Sequence, residues 1–236
     1  MSVTGGTLVV YNLPRLIPRP YGRPRGPQPL RPWYTLFFVA GLVVATLGAW
    51  QLPMQVAIAC AGLAAISFAY FIPILPGKRK RLRDFGLLKI TLLTTIWTVV
   101  TAVLPMLVAG VSVTAWPWEL LLRFVFIFAL CILFDIQDIE TDAGHNIATL
   151  PTRIGEQRAY ILVYICLVVF LVLSYVQFLR HPTLHGRIWA AVITAIATAV
   201  VAQIVRKKPS RVLFIAITDG MMLLYALLAL LPARVL

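Results

Sequence analysis

Four of the eight acidic residues in the chain fall within eight positions: Asp135, Asp138, Glu140 and Asp142. An α-helix turns by about 100° per residue, so Asp135, Asp138 and Asp142 project within about 60° of one another, whereas Glu140 points elsewhere. Carboxylates this close repel one another unless a cation neutralises them. Oxygen ligands favour Mg²⁺, which typically binds one or two carboxylates together with phosphate oxygens and water. The spacing therefore predicts a Mg²⁺ site that holds a polyanionic substrate; the alternative is a solvated acidic helix end.

The composition of the chain indicates which kind of structure positions this acidic cluster. Hydrophobic residues make up 61% and charged residues 12% of the 236 positions, whereas soluble domains have roughly 45–50% and about 25%. Seven apolar runs approach the ~20 residues that a membrane-spanning helix needs. These runs are Tyr34–Trp50, Pro53–Leu75, Leu87–Ala109, Pro117–Phe134, Tyr160–Leu179, Ile188–Ile204 and Val212–Leu231. The sequence predicts an all-α, multi-pass transmembrane bundle over residues 34–236, preceded by a basic segment rich in proline and arginine over residues 1–33.

The basic residues are distributed unevenly between the two predicted membrane surfaces. With seven spans, 17 of the 21 lysines and arginines lie on the side of the N-terminus, and an excess of positive charge marks the cytoplasmic side. The net charge of +13 is therefore read as a topology signal and not as nucleic-acid binding. The acidic cluster directly follows the fourth span on this same side. We expect a multi-pass protein of a bacterial inner membrane with its acidic site at the cytoplasmic surface.

The acidic cluster and the residues after it resemble the second aspartate-rich motif of UbiA-type membrane prenyltransferases. The matching features are the DxxDxxxD core that starts at Asp135, the run Thr149-Leu150-Pro151 and the closing Gly155. That family has nine helices, with the second motif after the sixth helix. The seven predicted spans would then correspond to helices three to nine, so the resemblance covers nearly the whole chain.

The resemblance implies a reaction and a set of functional residues. It implies Mg²⁺-dependent transfer of a prenyl group from a prenyl diphosphate to an aromatic or other lipophilic acceptor, in contact with membrane lipid. Asp135, Asp138 and Asp142 would be the catalytic metal ligands. The candidates for substrate contacts are Lys89, Arg153, Arg83, Asn12 and Tyr70. Two of these have simpler interpretations, since Lys89 could extend to lipid headgroups and Tyr70 could belong to an interfacial aromatic belt.

The chain departs from the family pattern at the first aspartate-rich motif. That motif, Asn-Asp-x-x-Asp-x-x-x-Asp, would fall near residues 9–16, where Asn12 matches and no aspartate is present. The family is understood to hold two Mg²⁺ ions between two acidic motifs. An alternative function is therefore a non-catalytic isoprenoid- or lipid-binding protein on the same scaffold.

Two charged residues lie inside predicted spans. Asp219 lies about 10 Å along the last span at 1.5 Å per residue, and ionisable residues within the membrane are candidates for function. Together with the acidic cluster, Asp219 motivates a third hypothesis, an ion-coupled carrier. Arg123 follows Glu119 by four residues, a spacing that predicts an ion pair within one helix.

Overall fold

The computed structural model describes residues 5–6, 8–9, 12, 32–71, 86–144, 147–182, 185–207 and 211–230. Within these ranges all regular secondary structure is helical, which confirms the predicted all-α fold class. Arg83 lies outside the described residues, and so does the side chain of Asp219. The chain divides into two compact units, one of residues 1–84 and 104–111, the other of residues 85–103 and 112–236. The proposed boundary between residues 33 and 34 stays a prediction.

The first unit contains α1 (Pro32–Trp50), α2 (Met54–Phe71) and the short α4 (Leu104–Val108). Helix α1 is apolar on all sides, and Trp33, Leu47 and Trp50 are among its exposed side chains. Such a helix has no polar face to offer water, which is expected where lipid is the solvent. Gly5 lies against the backbone of Gly41 and Ala45, because small residues allow helices to approach closely.

The second unit contains α3, a π-helical turn, a 3₁₀ turn and six further α-helices among its described residues. In chain order they are α3 (Gly86–Thr98), the π turn (Val99–Val103), the 3₁₀ turn (Val113–Ala115), α5 (Pro117–Gln137), α6 (Ile139–Gly144), α7 (Leu150–Ile154), α8 (Glu156–Arg180), α9 (His185–Lys207) and α10 (Arg211–Leu230). Helix α5 packs against α3 and α8, and α9 packs against α8 and α10. Leu122, Phe126, Leu130 and Leu133 of α5 are almost completely buried. Helix α5 is therefore the central helix of this unit.

Every predicted span coincides with a helix. In the described part of the chain, Trp33–Trp50, Gly86–Val108, Glu156–Arg180 and Gly186–Lys207 are each long and apolar enough to cross a membrane. The other three predicted spans coincide with α2, α5 and α10. Length and composition thus support the predicted membrane bundle, and the structure adds that α5 is shielded by its neighbours.

The contacts between α5 and α8 fix the register of this antiparallel pair. Gln177 donates to Glu119 near one end, and the rings of Phe126 and Phe170 stack at 4.9 Å in the middle. These two contacts pair residue 119 with residue 177 and residue 126 with residue 170. The same antiparallel register places Asp135 of α5 level with the first turns of α8. The end of the unit that carries Asp135 is called the acidic end below, and the end that carries Glu119 is called the opposite end.

Candidate active site

The helix that carries the acidic cluster is interrupted inside the cluster. Helix α5 ends at Gln137, Asp138 has φ −90° and ψ 6°, and α6 begins at Ile139. These dihedral angles lie in the bridge region at the edge of helical space. The single helix assumed over residues 135–142 is therefore divided at Asp138, although the Asp142 N–H still donates to the Asp138 carbonyl at 2.7 Å across the division. Aspartate side chains compete with the backbone for hydrogen bonds, which is a physical reason for a helix to end at such a residue.

Two of the three predicted metal ligands meet around one lysine. Lys89 Nζ lies 2.8 Å from Asp135 Oδ1 and 3.2 Å from Asp142 Oδ2. The side chains are 18%, 5% and 10% exposed for Lys89, Asp135 and Asp142 respectively. The first turns of α3 therefore place a single positive charge between two buried carboxylates.

One carboxylate oxygen in this arrangement is left without a partner. Oδ2 of Asp135 is buried and has no hydrogen-bond partner in the described part of the chain. An unpaired buried acceptor costs roughly 1–3 kcal/mol, more for a charged group. Asp135 follows the predicted fourth span, and burial raises the pKa of its carboxyl above the ordinary value, while Lys89 opposes the shift and Asp142 and Asp138 add to it. Among the described residues, Asp135 therefore keeps one acceptor oxygen that a cation could satisfy.

The unpaired oxygen of Asp135 allows a test of whether the residues present suit a metal ion. No group of three or more histidine, cysteine, aspartate or glutamate side chains is arranged to hold a metal among the described residues. A pair of carboxylates with one unpaired oxygen nevertheless suits Mg²⁺, which commonly takes one or two carboxylates and completes its shell with substrate phosphates and water. Asp135 and Asp142 are therefore oxygen donors of the kind that Mg²⁺ takes together with phosphate oxygens and water.

The segment after the cluster is held by its own backbone. The Ile147 N–H donates to the Asp142 carbonyl at 2.8 Å, and Thr149 is completely buried at the start of α7. Thr152 Oγ1 donates to the Thr149 carbonyl at 2.9 Å. Gly155 has φ +85° and links α7 to α8, a conformation that favours glycine. The motif Thr-Leu-Pro with its closing glycine thus forms a short helix followed by a sharp turn.

Gly86 joins this segment to the helix that carries Lys89. A Cβ atom on Gly86 would collide with the Ala148 carbonyl group and would lie 2.6 Å from Thr149 Cα. Only glycine allows this approach of α3 to the segment after the acidic cluster. Lys89 lies about one turn further along α3, so Gly86 helps to place it between the two aspartates. Gly86 was not predicted from the sequence, where its signal was a glycine at the start of a span, three residues before a candidate lysine.

The remaining candidates for substrate contact are Arg153, Asn12 and Tyr70. Arg153 is exposed in the last turn of α7. Asn12 and Tyr70 belong to the first unit, and both are buried. Asn12 Nδ2 donates to the Leu8 carbonyl at 2.8 Å, a bond within one helical turn. Their contacts with substrate stay predictions.

A second buried carboxylate lies at the opposite end. Glu119 Oε1 accepts from Arg123 Nε at 2.9 Å, which confirms the predicted ion pair within one helix. Glu119 Oε2 accepts from Gln177 at 2.9 Å and lies 3.5 Å from an Arg187 nitrogen. The sequence offered no signal for Gln177 or Arg187, because they lie 58 and 68 residues away from Glu119 along the chain.

A comparison with protein-family models decides the family. The model described as the UbiA prenyltransferase family matches residues 23–231. The chain belongs to the UbiA prenyltransferase family. Members of this family are membrane prenyltransferases that are generally metal-dependent. Searches of curated proteins and of solved structures return no match for the chain.

Proposed function

We propose that this UbiA-family protein transfers a prenyl group from a prenyl diphosphate to an aromatic or other lipophilic acceptor, with Mg²⁺ at its acidic end. The observation that supports the proposal is the buried pair of Asp135 and Asp142 around Lys89, with one Asp135 oxygen that has no hydrogen-bond partner among the described residues. A site of this kind attracts cations and can share them with a diphosphate. We expect this end to face the cytoplasm.

The reaction requires the bond between the prenyl carbon and the diphosphate oxygen to break. Negative charge then develops on the leaving diphosphate, and Mg²⁺ would supply charge stabilisation there. Asp135 and Asp142 would hold the ion, and Asp138 at the helix break is the third candidate ligand. Lys89, which lies between Asp135 and Asp142, is proposed to contact the diphosphate oxygens, and preorganised charge of this sort stabilises a transition state. Arg153, Arg83, Asn12 and Tyr70 are proposed to contact the substrates.

The prenyl cation left by this step is attacked by the acceptor, which forms the new bond and releases a proton. The buried interior of the second unit is aliphatic and aromatic, which is the kind of lining that such a reaction would need. Exclusion of water matters here, because water would trap the cation as an alcohol.

The test is product formation by the purified chain in detergent. The protein is incubated with Mg²⁺, a panel of prenyl diphosphates and aromatic acceptors, and both prenylated product and released diphosphate are measured. We expect equal amounts of the two, complete loss with a chelator, and loss in Asp138→Ala. The control Glu140→Gln removes the same charge from an exposed position in the same motif and should retain transfer. Unchanged transfer in Asp138→Ala would contradict the site assignment.

One observation favours the second candidate, a protein that binds isoprenoid without transfer. Lys89 already bridges Asp135 and Asp142, so the acidic end is partly neutralised by the chain itself, and residues 9–16 contain no aspartate. Such a protein would retain a prenyl diphosphate without release of diphosphate. Steady turnover in the same assay would exclude it.

A further inference from the structure

A groove runs along the outer face of the second unit between α8 and α9. It has a volume of about 410 Å³, within the usual range of roughly 300–1,000 Å³ for ligand sites. Its lining consists of Tyr164, Ile196, Ala199, Val200, Gln203, Ile204 and Lys207. Both helices belong to the same unit, and both are long and apolar enough to cross a membrane. The groove therefore opens towards lipid.

The chemistry of the lining changes in order along α9. Lys207 is exposed at the last turn, and Gln203 lies about 6 Å further into the membrane, at 1.5 Å per residue. Gln203 Nε2 donates to the Tyr164 hydroxyl at 2.6 Å. As the acceptor in this bond, Tyr164 retains its own hydroxyl proton as a donor. Beyond this pair come Val200 and Ile196, which are 50% and 60% exposed.

The order of a cation, neutral polar groups and aliphatic side chains along the groove matches the order of phosphate, ester and acyl groups in a phospholipid. We propose that the groove binds an anionic glycerophospholipid, with its phosphate at Lys207, its ester oxygens at Tyr164 and Gln203, and one acyl chain along Val200 and Ile196. Basic pockets between membrane helices are known to bind anionic lipid headgroups. The proposal is independent of prenyl transfer, because no residue of the groove belongs to the acidic site.

The position of the groove supports the assignment of the headgroup. The Arg206 guanidinium lies over the Tyr160 ring, 5.4 Å from its centroid, so the last turn of α9 is level with the first turns of α8. The register between α5 and α8 places Asp135 at this same level. The cationic end of the groove therefore lies at the membrane surface that carries the acidic site, where the sequence predicts most of the positive charge.

The test is lipid binding by the full chain, purified in detergent and depleted of lipid. Phosphatidylglycerol and phosphatidylcholine with identical acyl chains are titrated, and bound lipid is counted by native mass spectrometry. We expect tighter binding of phosphatidylglycerol, and about fivefold weaker binding in Lys207→Gln, the effect of roughly one surface cation. Arg158→Gln removes a charge from an exposed position outside the groove and should change nothing. Equal affinity for the two lipids, or equal losses in the two variants, would overturn the proposal.

A second pair of variants tests the acyl-chain position. Val200→Trp places bulk inside the groove, and Ile193→Trp places the same ring on an exposed position of α9 outside it. We expect phosphatidylglycerol binding to fall at least fivefold in the first variant and to remain in the second. Similar binding in the two variants would overturn the proposal. Displacement of the lipid by an aromatic acceptor or a prenyl diphosphate would also overturn it, since the groove would then be a substrate site.

Discussion

The two ends of the second unit both bury carboxylates beside basic side chains, yet Glu119 and Asp135 differ in how many of their oxygens are paired among the described residues. At the opposite end, both oxygens of Glu119 are bonded, to Arg123 on one side and to Gln177 and Arg187 on the other. At the acidic end, Lys89 bonds one oxygen of Asp135 and leaves the other without a partner in the described chain. Buried polar groups in folded proteins are normally paired, as Glu119 is. A buried carboxylate oxygen without a partner is a candidate position for a bound cation.

The largest expected effect is a loss of prenyl transfer when the acidic end, and not the opposite end, is altered. Asp135→Asn should lower prenyl transfer by at least about 10³-fold, because it removes a proposed ligand of the charge that stabilises the leaving diphosphate. Its melting temperature should fall only modestly, since Lys89 loses one of its two carboxylate partners but keeps Asp142 at 3.2 Å. Transfer assays and thermal denaturation of the same preparation check this. Retained transfer would place the catalytic charge elsewhere.

The next effect tests the placement of Lys89. Gly86→Ala should lower transfer by about 10²-fold, because the added Cβ collides with the backbone at Ala148 and a shift of about 1 Å in a catalytic group can cost that much. Gly144→Ala is the matched control, since a Cβ there meets open space. Equal activities in the two variants would show that the close approach at Gly86 does not position the site.

Glu119→Gln should act on stability and leave the chemistry unchanged. We expect unfolding to become easier by about 1–3 kcal/mol, the usual cost of leaving buried partners unsatisfied, with transfer per folded molecule unaltered. The exposed Glu156→Gln serves as the control for loss of one negative charge. A loss of transfer in folded Glu119→Gln would remove the distinction between the two ends.

The smallest effect is expected at Arg187. Its nitrogen lies 3.5 Å from Glu119 and its side chain is 42% exposed, and exposed ion pairs contribute about 0–1 kcal/mol. Arg187→Gln should therefore shift the melting temperature less than Arg123→Gln, whose guanidinium is closer to Glu119 and also lies over the Tyr225 ring. The reverse order would show that Arg187 is the main partner of Glu119.

The sequence predicted the features that depend on local patterns. Apolar length located the helices, and the spacing of Glu119 and Arg123 predicted their ion pair, because both follow from helix geometry alone. The break at Asp138 was not predicted, since an ideal helix was assumed across residues 135–142. The pairing of Lys89 with Asp142, the contact at Gly86 and the bond from Gln177 to Glu119 join residues more than fifty positions apart. Such contacts depend on how the helices pack against one another, and a single sequence does not show which helices are neighbours.

The most direct test of the distinction between the two ends is Mg²⁺ binding without substrate turnover. Calorimetric titration and thermal denaturation with increasing Mg²⁺ would compare the native chain, Asp135→Asn and Glu119→Gln, with a non-hydrolysable prenyl diphosphate analogue present to complete the site. We predict Mg²⁺ binding and stabilisation in the native chain and in Glu119→Gln, and their loss in Asp135→Asn. Equal Mg²⁺ binding by all three proteins, or binding lost only in Glu119→Gln, would contradict the assignment of the acidic end as the metal site.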